Sequence, residues 1–422
     1  KMSATSESNN QTSSNVPDWV NAELFIDVLK ESVTGFAKIK SFRVKNGSTA
    51  GENYATIMLR VFIDVELQDG KEKSVQYMLK LPHLTEFVQK MLENNNIFEA
   101  EFKMYKEFVP EMEELYRNAG VEVKFGPKSY ELKGAKTDYI LLEDLTPRGF
   151  KNANRLEGLD KAHCESALQK LAQWHAASAV RVATKGDYPK EFIVGIFKEE
   201  NRAMMVEMQK SISEKFIAGC KTYKGNEKYI EQVVNIISIH YLIEGMFNMG
   251  KVDPLGFNVL NHGDFWSNNM MFSYDAFGKI RSTCLIDFQM SQYCSVTKDL
   301  YYFLLSSTKF EDKLTKFDYY IKFYHENLVK NLKLLKYSKS IPTLTEIHMS
   351  LFRYGFLGYL TAVGVMSVVL LEPTEDANLE NFLNDDKGTD ELKSSLTTNA
   401  RYRKHIEIIL PWLLNRGALE IN

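Results

Sequence analysis

Cysteine is scarce and scattered. The 422-residue chain has four (Cys164, Cys220, Cys284 and Cys294) and no CxxC pair, which argues against a disulfide framework or a zinc site and for reduced thiols in a cytoplasmic protein. Positive charge is not in excess either. Lys and Arg number 52 against 55 Asp and Glu, for a net charge of -3, so nothing drives binding to a phosphate backbone and nucleic acid is not an expected partner. Long hydrophobic runs are nearly absent. Only Tyr354 to Leu371 goes 18 residues without a charge, and its glycines, Ser and Thr make it a buried helix rather than a membrane span. Internal repeats are missing. Residues 1–15 are rich in Ser, Thr and Asn without an apolar core, which predicts a disordered tail and not a signal peptide. What remains, 44% hydrophobic and 25% charged, suits a globular chain with a large core.

Strand signals dominate the first part. After Pro17, a helix is expected over Asn21 to Ser32, with Asp18 or Asn21 as its N-cap. Ile57 to Val65 and Ser74 to Lys80 flank the turn Gln68-Asp-Gly-Lys71 as a hairpin. Glu93 to Leu115 has helical spacing, and Val123 to Leu132 and Asp138 to Leu142 read as two more strands. From Lys161 onward helical periodicity takes over, except for a second hairpin within Asn269 to Phe288 around the turn Asp275 to Lys279. The expected fold is α+β and bilobal, like a protein kinase: a small antiparallel β lobe with one long helix (16–145), then a large, mainly helical lobe (146–422).

The strongest chemical signal is Asn261-His-Gly-Asp-Phe-Trp-Ser-Asn-Asn269, followed by Leu285-Ile-Asp-Phe-Gln289. Phosphoryl transfer needs a carboxylate at the attacking hydroxyl and oxygen ligands for magnesium, and little covalent chemistry beyond that. Asp264 and Asn269 have the five-residue separation of the kinase loop HRDxxxxN, and Asp287 at the end of a hairpin strand sits where a kinase holds its metal. Asp264 is therefore the expected base, with Asn269 and Asp287 as magnesium ligands. Lys80, ending an apolar strand, is placed to reach the ATP phosphates, and Glu101 in the next helix to pair with it. Glu99, two residues away, faces elsewhere.

Gly47, Ser48, Thr49, Gly51 and Asn53 form a candidate phosphate loop, with glycines for close backbone approach and side chains as donors. It is not a GxGxxG, and taken alone it is a weak signal whose alternative is a plain hairpin turn. In Ile140 to Leu145, an apolar strand ending in acids, the backbone of Glu143 and Leu145 is available to an adenine edge. Asp299 either caps its helix or fastens the loop backbone. His262 is expected to orient the loop by hydrogen bonding, and the other scattered histidines (His163, His175, His240, His325, His348, His405) to be structural or superficial.

A protein-kinase function does not fit. The loop reads His-Gly-Asp, without the arginine that couples to a phosphorylated activation segment. Only 11 residues separate Asp287 from Asp299, too few for a peptide platform. Gln289 also stands where kinases have the glycine of DFG. Candidate linings for an acceptor pocket are Trp266 and the aromatic helices Tyr301 to Leu305, Asp318 to Tyr324 and Phe352 to Tyr359.

The segments GENY, LKLP, FEAEFKMY, LLEDL, LAQWHAAS, NHGDFWSNNMMF and LIDFQ…KDLYYFL together resemble the insect ecdysteroid kinase-like family, akin to choline kinases and aminoglycoside phosphotransferases. The likeness runs from Pro17-Asp18-Trp19 to about Gly417. It implies an ATP- and magnesium-dependent small-molecule kinase acting on a hydroxyl of a steroid hormone or a xenobiotic alcohol, and the chain itself is expected to be a monomer. A ligand-binding pseudokinase and a choline- or aminoglycoside-type kinase stand as alternatives. The acidic run Glu372 to Asp386 is the segment able to hold a cationic acceptor if it folds over the cleft.

Overall fold

The computed structural model describes residues 16–47, 56–82, 97–373 and 390–420. A five-stranded antiparallel sheet is built from β1 (Phe36–Asn46), β2 (Thr56–Leu67), β3 (Glu72–Pro82), β4 (Ser129–Tyr130) and β5 (Ile140–Glu143), in the order β1-β2-β3-β5-β4. Period-two patterning explains its faces: Leu59, Val61, Ile63 and Val65 of β2 are buried and their neighbours are not. They pack with Tyr77 and Leu79 of β3 and with Phe25, Val28 and Leu29 of the N-terminal helical segment. That segment starts as a 3-10 turn, Ala22–Phe25, whose N-cap is Asn21 rather than Asp18, and continues as Ile26–Ser32.

One expected strand is mostly absent. Of Val123 to Leu132 only Ser129–Tyr130 pairs as a strand. Its apolar start is recruited elsewhere: the Phe125 amide donates to Glu113 Oε1 at 3.0 Å and its carbonyl accepts from Leu285 N at 2.7 Å. Pro127 then removes a donor from any ladder.

The long helix runs Ile97–Lys103, a π-turn Met104–Phe108, and Val109–Asn118. The rest of the chain is mainly helical. Lys161–Lys185 packs along Phe317–Leu334, with His175 Nδ1 and the Tyr324 hydroxyl 2.8 Å apart across the seam. Set among these helices are two short ribbons: β6 (Asn258–Asn261) with β9 (Gln292–Ser295), and β7 (Met270–Tyr274) with β8 (Ile280–Leu285). Trp174 and Ser178, four apart on one helix face, hold the outer edge of β6: Trp174 Nε1 donates to the Leu260 carbonyl at 2.7 Å and Leu260 N donates to Ser178 Oγ at 2.6 Å.

Among the described residues no single helix is long and apolar enough to cross a membrane; the pair Leu344–Arg353 and Gly355–Val369, bent by 66°, meets that length and composition only when joined. Tyr359, Ala362, Met366 and Val369 of the uncharged run are buried in the protein.

Candidate active site

Two clefts meet at the segment 261–269. The first, about 350 Å³, lies between the sheet and the β7–β8 ribbon. Lys80, at the inner end of β3, is buried there. Its Nζ donates to Glu101 Oε2 at 2.6 Å and to Asp287 Oδ1 at 2.9 Å. Glu101 is 1% exposed, whereas Glu99 forms a surface pair with Lys103 at 3.3 Å, so the two glutamates are cleanly separated. Burial works against the Lys80 ammonium, but the Asp287 and Glu101 carboxylates override it and hold the lysine above its usual range. Burial, aided by Asp287 and opposed by Lys80, pushes the Glu101 carboxyl up to about 7.

Asp287 stands two residues past the end of β8, not on the strand, with φ 65°. Aspartate is among the few L-residues that enter this left-handed region without prohibitive cost, and such a conformation points to a functional constraint. The π-turn supplies the clamp: Asp287 N donates to Tyr105 Oη at 3.0 Å, a placement of π geometry common at functional sites.

Gly47, Glu143 and Leu145 also line this cleft; Ser48, Thr49, Gly51 and Asn53 lie outside the described residues. The Glu143 amide is committed to the Lys128 carbonyl at 2.8 Å. Beyond it, Asp144 is buried, accepts from the Thr146 amide at 2.9 Å and pairs with Arg60 at 2.8 Å. Sequence reasoning assigned no role to this pair, which fixes the strand-to-helix connector against β2.

The loop after β6 is held from beneath by Asp299. Its carboxylate accepts from His262 N at 2.6 Å and Gly263 N at 2.9 Å, and from His175 at 3.2 Å. Asp299 therefore fastens the loop and does not cap its helix, Thr297–Ser306, whose N-cap is Val296. Burial opposes the Asp299 charge, yet His175, His262 and the loop amides keep its carboxyl below the ordinary value. Burial lowers His175 despite Asp299, so it stays a neutral donor. The sequence marks His175 only as structural or superficial, and the signal that could place it is its position in WHAAS beside Trp174 and three residues before Ser178. His262 Nε2 faces the Ile286 carbonyl at 3.0 Å, tying the loop to the Asp287 turn.

Gly263 explains why this loop lacks the kinase arginine. Its φ is +83°, and a Cβ there would lie 1.8 Å from the Met290 carbonyl oxygen. No side chain fits.

Asp264 Oδ2 accepts from Asn269 Nδ2 at 2.7 Å, and Oδ1 accepts from the Tyr302 hydroxyl. Burial raises the Asp264 carboxyl, Asp287 adds to this, and Tyr302, His262 and Asn269 oppose it; the net direction is up. Asn269 lines the first cleft. Asp264 opens onto the second, about 370 Å³.

That second cleft is walled by Ile196, Phe197, Ile212, Leu242, Met246, Met290, Leu357 and Leu360. Of the expected acceptor-lining segments, Tyr302, Leu357 and Tyr359 are present. Trp266, Tyr301, Tyr320 and Tyr324 are instead buried in the core. The walls from 196 to 246 carried no chemical motif, and only the packing of helices Arg202–Cys220 and Ile239–Met249 brings them here. Among the described lining residues Asp264 is the one acid and Lys298 the one base; Lys298 Nζ donates to Gln292 Oε1 at 2.7 Å.

The arrangement can neutralise an anionic group at Lys80, present oxygen ligands from Asp287 and Asn269, and accept a proton at Asp264 from a group in the apolar cleft. No group of three or more His, Cys, Asp or Glu forms a metal cluster among the described residues. A model of the ecdysteroid kinase-like family matches residues 50–337. No curated protein matches the chain.

Proposed function

The chain belongs to the ecdysteroid kinase-like family, and on that premise we propose that it transfers the γ-phosphoryl group of ATP to a hydroxyl of an apolar alcohol, an ecdysteroid or a xenobiotic. The observation that carries this reading is the Asp264–Asn269 hydrogen bond of 2.7 Å, because its two partners line different clefts. One side offers a cation and oxygen ligands; the other offers apolar walls and a carboxylate. A two-substrate transfer needs that junction.

In this reading residues 16–145 form the nucleotide lobe and 146–422 the acceptor lobe of a bilobal kinase-like fold. Lys80, steadied by Glu101, holds the ATP phosphates. The backbone of Glu143 and Leu145 meets the adenine, Glu143 through its carbonyl since its amide is taken. Gly47, with Ser48, Thr49, Gly51 and Asn53, covers the phosphates. Asp287 and Asn269 suit magnesium: hard oxygen donors, one of them a carboxylate, leaving coordination to phosphate and water, which is how Mg²⁺ is usually held. When bound, the ion neutralises charge on the β- and γ-phosphates. Asp264 receives the acceptor hydroxyl proton as that oxygen bonds to phosphorus and ADP departs.

The cleft favours an apolar acceptor over a polycation. Among the described lining residues, one acid balanced by one base gives no carboxylate cage for an aminoglycoside or choline. Of the acidic run, residues 374–386 lie outside the described residues, and Glu372 is paired with Arg401 at 2.7 Å. The test is a mass-spectrometric screen with Mg-ATP across ecdysteroids, plant alcohols, choline and aminoglycosides. Gain of one phosphate on the first two classes is expected. Turnover confined to the cationic compounds, or nucleotide binding with no turnover at all, would overturn the reading.

A further inference from the structure

We propose that Gln209 and Ser213 read a second oxygen of the acceptor. The compound phosphorylated is then an apolar scaffold with two neutral oxygen functions: the hydroxyl taken at Asp264, and a further hydroxyl or keto group held by the helix Arg202–Cys220. This rests on the second cleft being the acceptor site and deepens that reading by naming what else the acceptor must carry.

Gln209, Ile212 and Ser213 all line the cleft, and spacings of three and four put them on one face of the helix. The same face continues as Phe216 and Cys220, both fully buried in the core. A stripe that is otherwise packing surface thus turns polar where it meets the cleft. Ser213 is 6% exposed, and its hydroxyl has no hydrogen-bond partner among the described residues. A helical serine often spends its proton on a carbonyl one turn back, as Ser306 does on Tyr302 at 2.6 Å and Ser367 on Gly364 at 2.7 Å. Ser213 makes no such bond. A hydroxyl withdrawn this far from water and left unpaired is costly unless a ligand supplies the partner. The Gln209 amide, half-buried one turn away, is likewise uncommitted among the described residues.

The other polar side chains of the cleft are already engaged. Thr361 Oγ1 donates to the Leu357 carbonyl at 2.8 Å, Lys298 to Gln292 at 2.7 Å and Tyr302 to Asp264. The Tyr359 hydroxyl is unpaired too, but it is sealed in the core on the side of the Cys220 thiol. Apart from Asp264, free hydrogen-bonding capacity therefore collects at two neutral groups. An amide and a hydroxyl each donate and accept, so together they suit a hydroxyl or keto oxygen. With no charge of their own, they offer no counter-charge to an ammonium or a carboxylate. A site built to hydrogen-bond an oxygen rejects the analogue that lacks it far more strongly than an apolar wall can.

The test uses the full chain and needs no turnover. Dissociation constants are measured by saturation-transfer NMR for 1,6- to 1,10-alkanediols and for the 1-alkanols of the same length, a panel that scans the spacing between two oxygens. Apolar walls alone prefer the 1-alkanol at every length, because a second hydroxyl is buried without a partner. Wild type should instead bind the best diol at least ~5-fold more tightly than its 1-alkanol, the scale of a neutral hydrogen bond. Ser213→Ala and Gln209→Met should each cut that ratio, and the double variant should reverse it. Ser213→Thr, which keeps the hydroxyl, should retain the preference. A wild-type preference for 1-alkanols, or a ratio that neither substitution moves, would overturn the proposal. If Ser213→Ala unfolds, the Gln209→Met ratio decides the matter alone. Failure of the whole panel to bind would sink the cleft reading and the pair with it. Binding without phosphorylation by Mg-ATP would count against the kinase reading, while the ratio still judges Gln209 and Ser213.

Discussion

Lys80 and Asp287, 207 positions apart, are joined by a 2.9 Å bond from ammonium to carboxylate, and Glu101 closes the same ammonium from the other side at 2.6 Å. Sheet, helix and ribbon therefore converge on one buried cation. Such a group costs several kcal/mol when its partners are left without it.

Lys80→Met should destabilise the protein by about 3–5 kcal/mol in urea unfolding at neutral pH, since two carboxylates then face each other without counter-charge. The deficit should shrink in acid. Burial already raises the Glu101 carboxyl above its usual range, and a folded-state value raised above the unfolded one favours folding below the unfolded pKa and loses that gain as pH climbs through the folded value. A pH-independent deficit would show that Glu101 does not respond to the lysine. ATP binding should be lost in the same variant.

Asp264→Asn should lower kcat by on the order of 10²–10⁴ with ATP affinity nearly unchanged. In the wild type the acid limb of kcat/KM should lie above the ordinary carboxylate range, because burial and Asp287 raise this group and only its ionised form takes a proton. Activity then falls with decreasing pH earlier than an exposed aspartate predicts. A limb near pH 4 would contradict the base assignment.

Gly263→Ala should reduce both thermal stability and turnover. The left-handed backbone alone costs roughly 1–2 kcal/mol, and the overlap with the Met290 carbonyl forces the loop off Asp299. Differential scanning fluorimetry and single-turnover phosphorylation check this; a normal kcat would mean the loop tolerates displacement.

Gly364→Leu tests the acceptor cleft. Gly364 is in the π-turn Thr361–Val365, lines the cleft, and a Cβ there meets nothing within 4 Å. The added side chain should raise acceptor KM at least ~10-fold, about what a misfit of one or two methylenes costs, without changing KM for ATP. An unaffected acceptor KM places the acceptor elsewhere.

The legible parts were those written locally. His-Gly-Asp with Asn269 at fixed spacing, the apolar strand ending in Lys80, and the hairpins with their glycine and aspartate turns are short-range patterns, and the structure brings Lys80, Glu101, Asp264, Asn269 and Asp287 together at the junction of the clefts. What escaped depends on long-range packing. Asp299 had two equal readings because its partners sit 36 and 37 positions away. Val123 to Leu132 looked like a strand because apolar composition does not reveal that Glu113 and β8 claim the Phe125 backbone. Tyr302 and Tyr301 are indistinguishable by composition, and only the helix phase set by Asp299 separates them.

The hold of Trp174 and Ser178 on Leu260 has a consequence for how the chain behaves among copies of itself. A two-stranded ribbon offers raw edges, and an unpaired row of amides and carbonyls is a template on which another chain can zip. At β6 the outward amide and carbonyl of Leu260 are already consumed by a serine and an indole from a buried helix. An invading strand would first have to pry that helix out of the core. That edge of the ribbon is thereby shielded from self-association by side chains doing the work of a third strand.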